Sequence, residues 1–181
     1  PATANFIGTK LARHFVADDP PVGAIQRLAR VFRNSGGDLG AVSKELVYLD
    51  AVWKEPLAKV KTPYELVIST LRAVDIGLNE ARPYAMMGSL RQLGHIPFRA
   101  PSPKGWPDRA QDWISPESLL RRIEWLRAAS ARLPWTLRPN LVAEQTIGPV
   151  ITPRSQEMID AAPSGEEALA MIFASPEFQR R

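Results

Sequence analysis

Apolar residues recur every three or four positions along most of this chain, and that period predicts helices almost throughout. From Thr3 to Val16, Phe6, Ile7, Leu11 and Phe15 (with Ala4) share one stripe. Asp18-Asp19 and then Pro20-Pro21 end that helix and open a second, because proline is tolerated in a first turn. The second runs to about Arg33 with Val22, Ile25, Leu28, Ala29 and Phe32 inward. Asn34-Ser35-Gly36-Gly37 stops it, and Asp38 caps a third helix bearing Leu39, Val42, Leu46 and Val47. One further turn, capped by Asp50, ends near Trp53.

Thr62-Pro63-Tyr64-Glu65 is a capping box, and its helix runs to about Val74 with Leu66, Val67, Leu71 and Val74 inward. A weaker helix, Tyr84 to Leu93, carries Met86, Met87 and Leu90 and stops at Gly94. Ser115-Pro116-Glu117 starts the strongest one, which runs to about Ala131. Its apolar side holds Leu119, Leu120, Ile123 and Leu126; its exposed side is expected to hold Arg121, Arg122, Arg127 and Arg132. Pro139, Gly148, Pro149 and Pro153 break residues 134–153 into short helical turns and coil, an irregular connection. Short helices follow over Pro153–Ala162 and Glu166–Ala174, the second behind another capping box at Ser164–Glu167. A last turn, Ser175-Pro176-Glu177-Phe178, closes the chain.

No segment alternates strictly with β-branched enrichment, so no strand is expected. The expected fold is all-α: one domain over residues 1–181, an irregular compact bundle of about six to eight helices. One internal echo stands out. Asp38–Trp53 and Glu166–Phe178 both read as an acidic helix start, an apolar stripe, a cap, and a turn ending in an aromatic ring. A short turn after a cap folds such a ring back onto the preceding helix; two instances do not make a solenoid.

Residues 94–115 break the helical pattern with an ordered loop, and PSPKGWPDRAQDWISPESLLRR (101–122) is its informative part. Prolines and a glycine set its shape, and two tryptophans supply large rings, each with one N–H seeking a partner. Such a loop is a packed plug or the rim of a site. Trp106 and Trp113 therefore read as loop anchors or as platforms for a sugar or flat ligand. Lys104 lies between Pro103 and Gly105, where its ammonium could be held against an anion, although the spacing of a phosphate-binding loop is missing. Arg121 and Arg122 follow the loop; pairing one of them with Asp108 or Asp112 would tie loop to helix, or it could clamp a substrate carboxylate.

Composition narrows the chemistry. The 181 residues include no cysteine, which removes disulfides, thiolate catalysis and sulfur-held metals. His14 and His95 are the two histidines, so neither a metal site nor a cofactor is expected. His14 is a candidate acid or base, but no serine, aspartate or second histidine stands at helical spacing to it. Asp18-Asp19 and Glu166-Glu167 read as helix starts that complement the dipole. Net charge is +4, with nine Lys or Arg against four Asp or Glu over 91–138 and three against six over 139–181. The basic excess could draw an anion or acidic partner, but no helix-turn-helix, zinc set or aromatic sheet points to nucleic acid. No stretch approaches the roughly 20 apolar residues of a membrane span.

PATANFIGTKLARHFV at the start, the Lys-Gly-Trp-Pro then Trp-Ile loop, and the terminal ASPEFQRR resemble the C-terminal part of a bacterial family called domain of unknown function 1800. The resemblance spans essentially all of the chain and implies a piece of a longer, exported protein, in keeping with a start at Pro1 inside a helix. One turn that in the family often reads Ser-Pro-Glu-Phe stands here as Asp50-Ala51-Val52-Trp53. The expectation is a non-catalytic helical module that offers the Trp/Pro loop and the basic helix to a partner or another domain. Its rival is part of an enzyme with an anion- or carbohydrate-directed site at 101–122.

Overall fold

The computed structural model describes residues 1–55, 57–75 and 83–181. Among them are ten α-helices, two 3-10 turns and no strand, with 63% of residues helical, so the all-α expectation holds. The helices group into two compact units: residues 1–59, 107–112 and 181 form one, and residues 60–106 and 113–180 the other.

The first unit holds α1 (Ala2–Phe15), α2 (Val22–Asn34), α3 (Leu39–Val47) and the five-residue α4 (Asp50–Lys54). α1 and α2 meet through small side chains. Ala4, Gly8 and Ala12 are the buried residues of α1, and a Cβ on Gly8 would stand 2.9 Å from the Ile25 carbonyl oxygen of α2. So close a crossing leaves no room for rings, and Phe6 and Phe15, expected inward, are 62% and 48% exposed. The core is built instead from Ala12, Val16, Ala24, Leu28, Val42, Leu46 and Leu49. Val22, also expected inward, faces out, as do Leu39 and Val47 of α3. Asp38 caps α3 as expected, its carboxylate accepting from Gly40 N at 2.8 Å, whereas α2 has no acidic residue in its first turn and Leu49 holds the cap position of α4, with Asp50 one residue inside it.

The second unit holds α5 (Pro63–Ala73), α6 (Pro83–Gln92), α7 (Pro116–Ser130), α8 (Pro139–Thr146), α9 (Pro153–Asp160) and α10 (Gly165–Ala174). Its starts follow the chemistry of the caps. Thr62 Oγ1 accepts from Glu65 N at 3.3 Å while Thr62 N donates to Glu65 Oε2 at 2.7 Å. Ser115, Thr152 and Ser164 accept from the backbone N–H three residues on. Leu66, Val67, Leu126, Ile147, Ile172 and Phe173 make the centre of a core that α5, α7, α8 and α10 share. In the stretch 134–153, read as turns and coil, Pro139 in a first turn supports the eight-residue α8 before a 3-10 turn at Gly148–Val150.

α7 is rotated from its expected face, although Leu126 is inward and Arg121, Arg127 and Arg132 are outward as expected. Arg122, Trp125, Leu126 and Ser130 are buried, whereas Leu119, Leu120 and Ile123 are 41%, 56% and 38% exposed. The aliphatic stripe did not decide which way the helix faces. Trp125 joins Leu126 in the core, and Arg122 comes in beside them because acceptors await its guanidinium.

Candidate functional site

The 94–115 loop belongs to both units and is held differently in each. In the second unit Gly94 takes φ 78°, a conformation that favours glycine, and turns the chain into His95. The His95 ring lies 4.5 Å from Trp106 and 5.0 Å from Trp113, and the indoles are 6.0 Å apart. Trp113 is buried and Trp106 partly so: the rings pack on one another and on the protein. Burial pushes the His95 imidazole below its usual 6.5, with Glu65 pulling weakly the other way, and Nδ1 is buried without a hydrogen-bond partner. Lys104, by contrast, is exposed, and only its backbone N–H is engaged, with Ser102 Oγ at 3.2 Å.

In the first unit residues 107–112 are tied by charge. Lys59, 5% exposed, bonds Asp18 through Nζ and donates to the Asp108 carbonyl at 2.6 Å. Asp18 accepts from Ala110 N at 2.6 Å, and the Asp108 carboxylate accepts from Lys10 at 2.8 Å with Arg13 at 3.9 Å. Arg109 reaches Asp19 at 2.9 Å. Burial raises both Asp18 and Asp108, but hydrogen bonds and the neighbouring ammonium groups outweigh it and hold each carboxyl below its usual range.

The expected pairing of Arg121 or Arg122 with Asp108 or Asp112 is therefore not what forms. Arg121 pairs with Glu117 one turn before it, on the exposed side of α7. Arg122, 1% exposed, donates Nη1 to Gln179 Oε1 at 2.9 Å and Nη2 to the Lys61 carbonyl at 2.7 Å. Gln179 in turn donates Nε2 to the Phe173 carbonyl at 2.7 Å, and its own carbonyl accepts from Lys61 N at 2.9 Å. Glu177, 7% exposed, accepts from Thr152 N at 3.0 Å and from Ser155 Oγ at 2.9 Å. The last turn of the chain is thus a buried polar knot with α7's arginine at its centre. Burial pushes the Arg122 guanidinium down to about 10, Glu65 opposing.

His14 lies on the exposed face of α1, edge-on to Phe15 at 4.5 Å, with its carbonyl accepting from Arg181 at 3.3 Å. Within the second unit, Trp106, Trp113 and His95 meet, Arg122 joins the terminal turn, and Lys104 and Arg121 are exposed. Sequence reasoning missed Lys59, Gln179 and Glu177, whose type alone does not announce burial. Among the described residues no three His, Asp or Glu side chains come together as a metal site would need. No described helix is long and apolar enough to cross a membrane.

α7 and the start of α10 enclose a groove of about 560 Å³ with Leu120, Ile123 and Ala170 on its apolar floor. What the described residues define is an all-helical protein in which Lys59 and Arg122 are tied internally while Lys104 and Arg121 are exposed. The chain belongs to the family described as protein of unknown function (DUF1800), which matches residues 1–180. No curated protein and no solved structure matches it.

Proposed function

We propose that this chain is a non-catalytic helical module of a larger, exported bacterial protein, and that α7 presents its outward face to a partner or another domain. One observation carries the reading: Leu119, Leu120 and Ile123 are exposed on α7 while Arg122 is buried. Apolar surface is turned to solvent on the helix with the strongest start, the mark of an interaction face. The charged residues that an enzyme would need free have internal work: Lys59 holds the loop and Arg122 the last turn. The loop then serves as a brace, with Lys104 at its tip, and not as the principal contact. Because the chain holds no cysteine, Leu120→Cys gives a unique handle within it. A bifunctional thiol cross-linker at that position captures one discrete partner or domain, and Ile123→Asp abolishes the capture. No cross-link at any of these three positions would overturn the reading.

A second reading, an anion- or carbohydrate-directed site at 101–122, draws on the unpartnered His95 Nδ1 between two indoles. It requires that His95→Gln and Lys104→Ala each change the activity of the full-length protein while leaving its fold intact.

A further inference from the structure

We propose that the groove between α7 and α10 receives a single amphipathic helix from another polypeptide, apolar on one side and flanked by lysine or arginine. This rests on the module reading above and adds the chemistry of the partner. Three observations carry it. The floor is aliphatic and shallow, and about 560 Å³ accommodates about three apolar anchors at i, i+3 and i+7. The elements that form it are helices, so they offer no strand edge to an incoming chain. A ligand laid there gains no backbone hydrogen bonds from the protein and must satisfy its own, which a helix does and an extended segment does not.

Charge supplies the third. Glu124, Glu166 and Glu167 line the groove against one cation, Arg127, on a chain whose net charge is +4. None of these four side chains is in an ion pair among the described residues, in contrast to Arg121 with Glu117 nearby. An apolar floor with an unpaired acidic rim selects a partner with basic flanks, by attraction and by rejection of acidic competitors.

The test uses the whole chain and two synthetic helices of about 16 residues, long enough to hold helical structure. Both carry leucine at i, i+3 and i+7; one has lysine flanks, the other glutamate flanks. Fluorescence anisotropy is expected to show the lysine helix binding on the order of tens of micromolar and the glutamate helix at least about tenfold more weakly. Glu166→Lys with Glu167→Lys reverses that preference. Ala128→Trp, at an exposed position lining the groove, fills the floor and weakens the lysine helix by about tenfold without changing helicity or melting. Equal binding of the two helices, binding indifferent to Ala128→Trp, or concentration-dependent self-association that Ala128→Trp abolishes (a second copy as the occupant) would each overturn the proposal. A Leu120→Cys cross-link combined with no preference for the lysine helix removes this inference alone. The loss of that cross-link removes the reading beneath it.

Discussion

Two segments of this chain are written in the same way and end differently. Asp38–Trp53 in the first unit and Glu166–Phe178 in the second each run from an acidic start through an apolar helix to a turn that closes on an aromatic ring. Trp53 folds back as that logic requires, its Nε1 donating to the Val47 carbonyl at 2.9 Å, yet the ring stays 70% exposed. Phe178 is 3% exposed, 5.0 Å from the Phe173 ring, with Lys61 Nζ 4.1 Å above it. The residues before and after the ring make the difference. Ser175, Glu177 and Gln179 each bond a group elsewhere in the unit or in the turn, so the turn is drawn into the core with its polar atoms satisfied. Asp50-Ala51-Val52 has no such side chains between cap and ring. A cap and a ring place a turn; polar partners let it be buried.

The sharpest way to break that contrast is Phe178→Ala, which is expected to cost about 3–5 kcal/mol in urea unfolding. A loss under about 1 kcal/mol would place Phe178 with Trp53. Next comes Glu177→Ala, which strips acceptors from Thr152 N and Ser155 Oγ and is expected to cost about 2 kcal/mol. Acid reads the same knot. Burial raises the Glu177 carboxyl, but its hydrogen bonds bring it below its usual 4.5. Its contribution is therefore present above the unfolded pKa and fades as pH falls through the lower folded value. Stability below about pH 4.5 should fall less steeply in Glu177→Gln than in the parent. Identical slopes would contradict the assignment.

Lys61 should titrate oddly. Burial pushes its amine down to about 8, Glu65 opposing, so NMR of the labelled lysine should give a midpoint near there. The folded state then holds this proton less tightly than the unfolded one, and Lys61's contribution to stability rises with pH between about 8 and 10.5. A midpoint at 10.5 would mean the ammonium is not held over Phe178. Smallest of all, Trp53→Ala is expected to change stability by less than about 1 kcal/mol, since the ring buries little.

Helix identity was legible because caps are local. Thr62, Ser115, Thr152 and Ser164 announce their helices within a few residues, and the structure begins each helix right after them. Facing was less legible, because it depends on what stands opposite. Ala4, Gly8 and Ala12 look like a weak face until α2 arrives close enough to need small residues. Arg122 looks like an exposed residue until Gln179, 57 positions later, offers an acceptor. The loop's tie to Asp18 likewise spans 92 positions, which local pattern does not encode.

Both the fold of the second unit and its outward face depend on α7 turning Arg122 inward and Leu119 and Leu120 outward. Urea unfolding of Arg122→Ala beside Leu120→Ser, followed by tryptophan fluorescence, tests that most directly. Arg122→Ala is expected to lose about 3 kcal/mol, because the Gln179 and Lys61 oxygens are left without a donor, while Leu120→Ser stays within about 0.5 kcal/mol of the parent. The reverse order, with the arginine dispensable and the leucine costly, would contradict it.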